Sequence, residues 1–272
     1  MSITKKHLEL LPCWRNSEVL RPGARVGKGG NPHHYLVDGI KCRRVTSILE
    51  KTIPKGQGFN NWLIETGIQK MASEVFEAEG VYEIDGVECT LADWLNYTTE
   101  LARVRPDEVR DEAADWGTRA HGVIQQYIDL KIEVTVLTYV AEEMQPTIEA
   151  FSDFEVGLDV TWLATEMVVW DEQRKVAGSV DAIGYSPKGW VIADWKTSKG
   201  HYPESSLQLS AYAAMFKNIT GQRISHGYVV RFPKDRPDEG PAFHVERVAN
   251  LRTGWARYKE LIRQTDYQPW AK

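Results

Sequence analysis

Two acids and a lysine in one short stretch, Asp181, Asp194 and Lys196, are the residues of this sequence best placed to do chemistry. Residues 180–185 and 190–195 are β-rich, and Ser186-Pro187-Lys188-Gly189 between them reads as a tight turn, so the stretch predicts a β-hairpin. With Ser186 facing Gly189, Asp181 stands directly opposite Asp194 on the same face, with Cβ atoms about 5 Å apart. Strand alternation then puts Lys196 on that face and sends Ala193 and Trp195 to the other, where they can pack on a core.

Two carboxylates held that close repel each other unless a proton or a cation lies between them, and a divalent metal is the usual solution at a strand end open to water. Beside a metal, a lysine can hold a phosphate oxygen, orient an attacking water or offset charge developing in an in-line displacement. The same residues also fit a surface hairpin whose charges are simply solvated.

Three further features extend the pattern. Gly178-x-x-Asp181, then Asp194-x-Lys196 thirteen residues after the first acid, then Gln208-x-x-x-Tyr212, together resemble the PD-(D/E)XK nuclease superfamily in its RecB-type exonuclease branch. Gly117-Thr118-Arg119-Ala120-His121 is similar to the helix that carries an upstream histidine in that branch, and Val180 stands where the superfamily's name has proline. The resemblance implies catalytic roles for Asp181, Asp194, Lys196, Gln208 and Tyr212. It implies a site for one or two Mg²⁺ or Mn²⁺ ions held by His121, Asp181, Asp194 and the Trp195 carbonyl, with Glu166 as a further ligand. Contacts to DNA would come from Arg43, Arg44, Arg119, Thr197, Ser198 and Tyr212, although turn chemistry explains Thr197 and Ser198 equally well. Some members of the branch carry four cysteines around an iron-sulfur cluster; Cys13, Cys42 and Cys89 cannot supply that set, so no cluster is expected.

The elements that must position these residues are legible in outline. Arg43 and Arg44 lie on the second strand of a hairpin that turns at Asp38-Gly39, and Val45 to Leu49 leads into helical sequence. Apolar spacing predicts a helix over 59–78, a short hairpin turning at Asp85-Gly86, and a helix over 91–104. Pro106-Asp107-Glu108 reads as a new helix start, running to about Leu130 with an interruption at Gly117 just before His121. Residues 134–154 read as helical, interrupted or kinked at Pro146. A strand over 162–170 carries Glu166, a helix from Pro203 to about Asn218 carries Gln208 and Tyr212 on one face, and strands near 224–232 and 242–248 precede a helix over 251–263.

Composition bounds the rest. The 272 residues are 42% hydrophobic with a net charge of −5, enough for one large domain or two small ones around a sizeable core. Lys and Arg number 11 against 4 acids in residues 1–60, 6 against 22 in 61–160 and 16 against 12 in 161–272, so a basic arm and a slightly basic sheet region flank an acidic middle. Residues 20–34 are rich in Gly and Pro and read as irregular; their Gly-Lys-Gly lacks the Walker spacing, which excludes an ATP motor, and His33-His34 reads as loop. Scattered cysteines, no secretory leader and no long apolar run predict an intracellular, cytoplasmic protein away from membranes, in a host cytoplasm if a phage encodes it.

The expected architecture is α/β: a mixed central sheet flanked by helices, like a restriction endonuclease core, with an α-rich N-terminal cap. Residues 1–105 would form the basic arm, hairpins and cap, and 106–272 the core. The resemblance implies a metal-dependent exonuclease acting on linear or single-stranded DNA ends in replication, repair or recombination, with a recombination or replication protein as a candidate partner. A sequence- or structure-specific endonuclease and a non-catalytic DNA-end binding module are the alternatives. A carboxylate-pair glycosidase is disfavoured, because directly opposed acids are too close to flank a sugar.

Overall fold

A computed structural model describes residues 19–20, 25–26, 29–30, 34–54, 64–70, 82–85, 87–132, 140–198, 200, 202–232, 234 and 241–266, with backbone alone for the first three pairs, 101–107 and 132. The strands are β1 (Val19–Leu20), β2 (Arg25–Val26), β3 (Gly29–Gly30), β4 (His34–Val37), β5 (Ile40–Arg44), β6 (Glu83–Ile84), β7 (Val87–Glu88), β8 (Thr161–Asp171), β9 (Val176–Ser186), β10 (Gly189–Lys196), β11 (Ile224–Arg231) and β12 (His244–Val248). The helices are α1 (Val45–Thr52), α2 (Leu91–Ile132), α3 (Gln145–Val156), α4 (Pro203–Thr220) and α5 (Leu251–Asp266); residues 64–70 are also helical. Two compact units result, one of residues 1–53 with 118–272 and one of 54–117.

In the larger unit an eight-stranded mixed sheet runs β1-β4-β5-β9-β10-β11-β12, with β8 also paired to β9. Pairs β5–β9 and β10–β11 are parallel and the rest antiparallel. Helices cover the sheet, which is the expected α/β class. One apolar cluster joins Ile192 and Val229 to α1, α4 and α5; another joins Ala193, Trp195 and Val230 to Ile124 and Ile128 of α2 and to Phe151 and Phe154 of α3. Alternate residues of β10 therefore feed opposite layers, and Trp195, 2% exposed, makes edge contacts with Phe151, Phe154 and Trp162.

Turn chemistry explains the hairpins. Asp38 and Gly39 both take positive φ (49° and 77°), the geometry a two-residue β4–β5 turn requires. Pro203 opens α4, and Gly221, at φ 73°, ends it in the left-handed conformation.

Several expected boundaries are corrected. The helices expected over 91–104 and from Pro106 to about Leu130 are one continuous helix, α2, so Pro106 removes one N–H from the ladder without ending it and Gly117 does not interrupt it. Pro146 starts a helix rather than kinking one: it sits in the first turn of α3, where its missing N–H has no helical partner to lose, and a 3₁₀ turn at Glu142–Met144 precedes it. The segment over 20–34, expected to be irregular, contains the β2–β3 pair, and His34, expected in a loop, opens β4. His33, Cys13, residues 133–139 and most of the helix expected over 59–78 lie outside the described residues.

The smaller unit, residues 54–117, holds the β6–β7 hairpin turning at Asp85 (φ 52°) and the start of α2. Thr90 caps that helix: its Oγ accepts from the Asp93 N–H at 3.2 Å and its hydroxyl donates to the Asp93 carboxylate at 2.6 Å.

Candidate active site

The β9–β10 hairpin has the expected register at its turn: Gly189 faces Ser186, and pairing continues through Ile192 with Ile183 to Ala193 with Ala182. One step further lie Asp194 and Asp181, and there the ladder stops. Asp181 Oδ2 accepts the Trp195 backbone N–H at 2.7 Å, so a side chain takes a hydrogen bond that strand pairing could have used.

On the other flank of β9, Thr165 pairs with Ala182 and Met167 with Val180, which puts Glu166 of β8 opposite Asp181. Glu166 has φ 49°, a left-handed conformation that costs a non-glycine residue about 1–2 kcal/mol. Strand alternation changes phase here, because Val180 and Ile183, three residues apart, join the same apolar cluster. The Glu166 carboxylate accepts the Ser179 hydroxyl at 2.6 Å.

Helix α4 supplies a polar bridge. Gln208 Nε2 donates to Asp194 Oδ1 at 3.0 Å and lies 3.1 Å from the Tyr212 hydroxyl, while Lys196 Nζ approaches Gln208 Oε1 at 3.4 Å. Tyr212 lies against Gly178 so closely that a Cβ there would sit 2.4 Å from its Cε1, which is the physical reason for glycine at the head of the motif. From α2, His121 Nδ1 comes within 3.5 Å of Asp181 Oδ2; Ile124 and Ile128 pack the helix on the core, and Thr165 on β8 donates to Asp129 at 2.6 Å.

His121, Asp181, Asp194, Lys196, Gln208 and Tyr212 line one cavity of about 250 Å³, together with Tyr35, Arg44, Val45, Thr46, Gly178 and Ser179. Burial pushes Asp194 up to about 6, with the charge of Asp181 adding to the effect and those of Lys196 and His121 opposing it. Burial alone would likewise raise Asp181, but His121, Lys196 and the Trp195 N–H hold it below the ordinary carboxylate range. For Lys196 and His121 burial acts downward and is outweighed by the two aspartates, so both groups end above their ordinary values and favour the charged form. Burial pushes the Tyr212 phenol far up, which keeps it a neutral hydrogen-bonding group.

The donor set fits a divalent cation. Ligand atoms of His121, Glu166 and Asp181 all lie within 4.8 Å of one another, an oxygen-rich set with one imidazole. Asp194 Oδ2 is buried and forms an ion pair with the Lys196 ammonium 2.8 Å away. The ammonium offsets the cost of burying that carboxylate oxygen.

The expected site residues divide clearly. His121, Asp181, Asp194, Lys196, Gln208, Tyr212 and Arg44 line the cavity, and Glu166 joins His121 and Asp181 in the donor cluster. Asp194, expected as a direct ligand, stands outside that cluster with Gln208 and Lys196 as its neighbours. Trp195 enters through its N–H to Asp181. Arg43 lines a separate cavity and pairs with Asp266 at 2.7 Å; Arg119 pairs with Glu143 on the surface. Thr197 and Ser198 do not line the cavity, and the Ser198 hydroxyl closes a turn onto the Gly200 carbonyl at 3.0 Å. Sequence reasoning missed Tyr35, Thr46 and Ser179. Tyr35 reads as an ordinary core position alternating with Val37, whereas Ser179, directly after Gly178, was open to discovery as a neighbour of the motif.

Residues 87–272 match the family model described as PD-(D/E)XK nuclease superfamily. Among solved structures, one titled "Crystal structure of SSO0001" aligns over 56% of this chain and 73% of its own length, with 18% identity and a TM-score of 0.27. No curated protein matches the sequence.

Proposed function

The chain belongs to the PD-(D/E)XK nuclease superfamily, and from that premise we propose that it is a divalent-metal-dependent exonuclease that hydrolyses phosphodiester bonds at DNA ends, using Mg²⁺ or Mn²⁺. Membership implies a nuclease with DNA as substrate; action at ends, a role in replication, repair or recombination, and an intracellular setting are our reading of the RecB-like motif order. Among the described residues no helix is long and apolar enough to cross a membrane. The observation that carries the proposal is the meeting of the buried Asp194–Lys196 ion pair with His121 and Asp181 in one small cavity, with Glu166 completing a donor cluster beside the last two.

A divalent ion held by His121, Glu166 and Asp181, with Asp194 and the Trp195 carbonyl as further ligands, would supply charge neutralisation at the phosphodiester and acidify water there. The chain's own groups do the rest. Lys196, held charged by the two aspartates, offsets charge developing on the phosphoryl oxygens and helps orient the attacking water. Gln208 fixes Asp194 and Lys196 relative to each other, and Tyr212 holds Gln208. Arg44 and Thr46, linked at 3.4 Å on the cavity wall, are placed to hold a phosphate beside the scissile bond. Attack in line with the leaving 3′ oxygen leaves a 5′-phosphate.

The test is cleavage of 5′- and 3′-labelled linear DNA, single- and double-stranded, beside circular DNA, with Mg²⁺, Mn²⁺ or chelator, for wild type and Asp194→Ala. Metal-dependent shortening from an end, lost in the variant and absent on circles, is the expected result. Cutting of circles would make the protein an endonuclease, and binding without cleavage under any metal would make it a DNA-end adaptor.

A further inference from the structure

Successive residues of β5 point to opposite faces, so Arg44 and Arg43 serve different places. Arg43 lines a second cavity, of about 710 Å³, which shares no lining residue with the catalytic one. Its walls carry six cations: Lys41 and Arg43 from β5, Arg174 and Lys175 from the β8–β9 turn, and Lys259 and Arg263 from α5. Among the described residues Asp266 is the one carboxylate that lines it. In a chain with 38 acidic and 33 basic residues, such a segregation of positive charge is not the average surface.

The cations are fixed without all being neutralised. Arg43 is held by Asp266 at 2.7 Å and donates to the Thr265 hydroxyl at 2.9 Å; Arg174 is held by the buried Asp171 at 2.7 Å, and Arg263 by Glu260. Lys41, Lys175 and Lys259 make no ion pair among the described residues. The Trp255 ring lies under Arg174 (Cζ 5.5 Å from the centroid) and Lys259 (Nζ 6.0 Å), holding two like charges near each other. Lys175 is kept at φ 52°, a conformation uncommon for a residue with a side chain. Like charges converging on a concave wall repel, and an anion between them removes that penalty.

We propose that this cavity is a second nucleic-acid site, binding successive backbone phosphates of the DNA away from the bond being cut. The identity of the ligand rests on the nuclease reading; the existence of an anion site does not. Lysine and arginine together suit phosphate oxygens, the arginines as planar forks and the lysines as point charges. Contacts of this kind are independent of base sequence and strongly salt-dependent.

The test uses the full chain with chelator, so that no cleavage intervenes, and fluorescence anisotropy of a labelled oligonucleotide, single-stranded or duplex, across a salt series. Lys41→Gln/Lys175→Gln/Lys259→Gln should weaken binding about tenfold or more at fixed salt, and should flatten the slope of log affinity against log salt by about 2 on a single strand and about 2.7 on duplex, as expected for three lost phosphate contacts. The matching triple arginine variant should restore both, and the melting temperature reports whether either variant is folded. Unchanged affinity and slope in a folded glutamine variant would overturn the proposal. So would binding of nucleoside triphosphate or an acidic peptide that the variant loses while its DNA binding stays intact. The two readings fail separately: a wild type that cuts DNA while the glutamine variant binds normally removes the second site alone. A wild type that binds through the cavity but cuts under no metal removes the nuclease alone.

Discussion

The two ends of the β9–β10 hairpin follow opposite rules. At the turn, Ser186 faces Gly189 in register, the Ser186 hydroxyl donates to the Gly189 carbonyl at 3.2 Å, and every feature serves the fold. At the open end, Asp181 captures the Trp195 N–H, Asp194 is buried in an ion pair with Lys196, and neighbouring Glu166 sits in a left-handed conformation. Regular pairing sets where the acids stand, and departure from it gives them their chemistry. A binding site bears unfavourable local terms that the rest of the sheet offsets.

Substitutions at the open end should therefore change activity more than stability, and substitutions at the turn the reverse. Asp194→Ala and Lys196→Ala are expected to lower cleavage by about 10³-fold or more, roughly 4 kcal/mol of barrier, while thermal melting shows a folded protein. Either variant cutting at the wild-type rate would break the comparison outright. Gly178→Ala should affect both properties. Its Cβ would meet the buried Tyr212 ring at 2.4 Å, which predicts about 1–3 kcal/mol of destabilisation and, through the shifted Tyr212–Gln208–Asp194 chain, weaker cleavage in the folded fraction.

Gly189→Ala lies at the turn, where φ is 109°, and denaturant unfolding should show a loss of about 1–2 kcal/mol with kcat unchanged. A fall in kcat would mean that the turn and the acids are not separable. The smallest effect concerns pH. Asp194 is raised from an ordinary 3.8 to about 6 in the metal-free fold, so its contribution to stability is fully present below about 4 and lost as pH rises through 6. With chelator, Asp194→Asn should be more stable than wild type above pH 6, and the difference should vanish near pH 4. A constant difference across that range would place the proton elsewhere.

Much of the site could be read from residue types. The hairpin register followed from a turn cluster and period-two alternation, and the position of Gln208 and Tyr212 on one helical face followed from their spacing of four. Gly178 could be named from its place in the motif, yet its reason, the Tyr212 ring packed on its backbone, lies in a contact 34 residues distant. The helix boundaries at Pro106 and Pro146 were harder, because proline is compatible with both the first turn and, at a cost, the interior.

Local sequence was enough for the strands, the turns and the hairpin register as far as Ala182 with Ala193, since all three depend on interactions between near neighbours along the chain. Folding in three dimensions settled the rest. It brought β4 and β5 beside β9, so that Tyr35 and Arg44 reached a cavity more than 130 residues further along, and it sent Arg43 to a different one. It also turned Glu166 toward His121 and Asp181 by a single positive φ and left Asp194 to Lys196 and Gln208. Those outcomes depend on burial and on the competition of several partners for one carboxylate, which spacing along a chain does not encode.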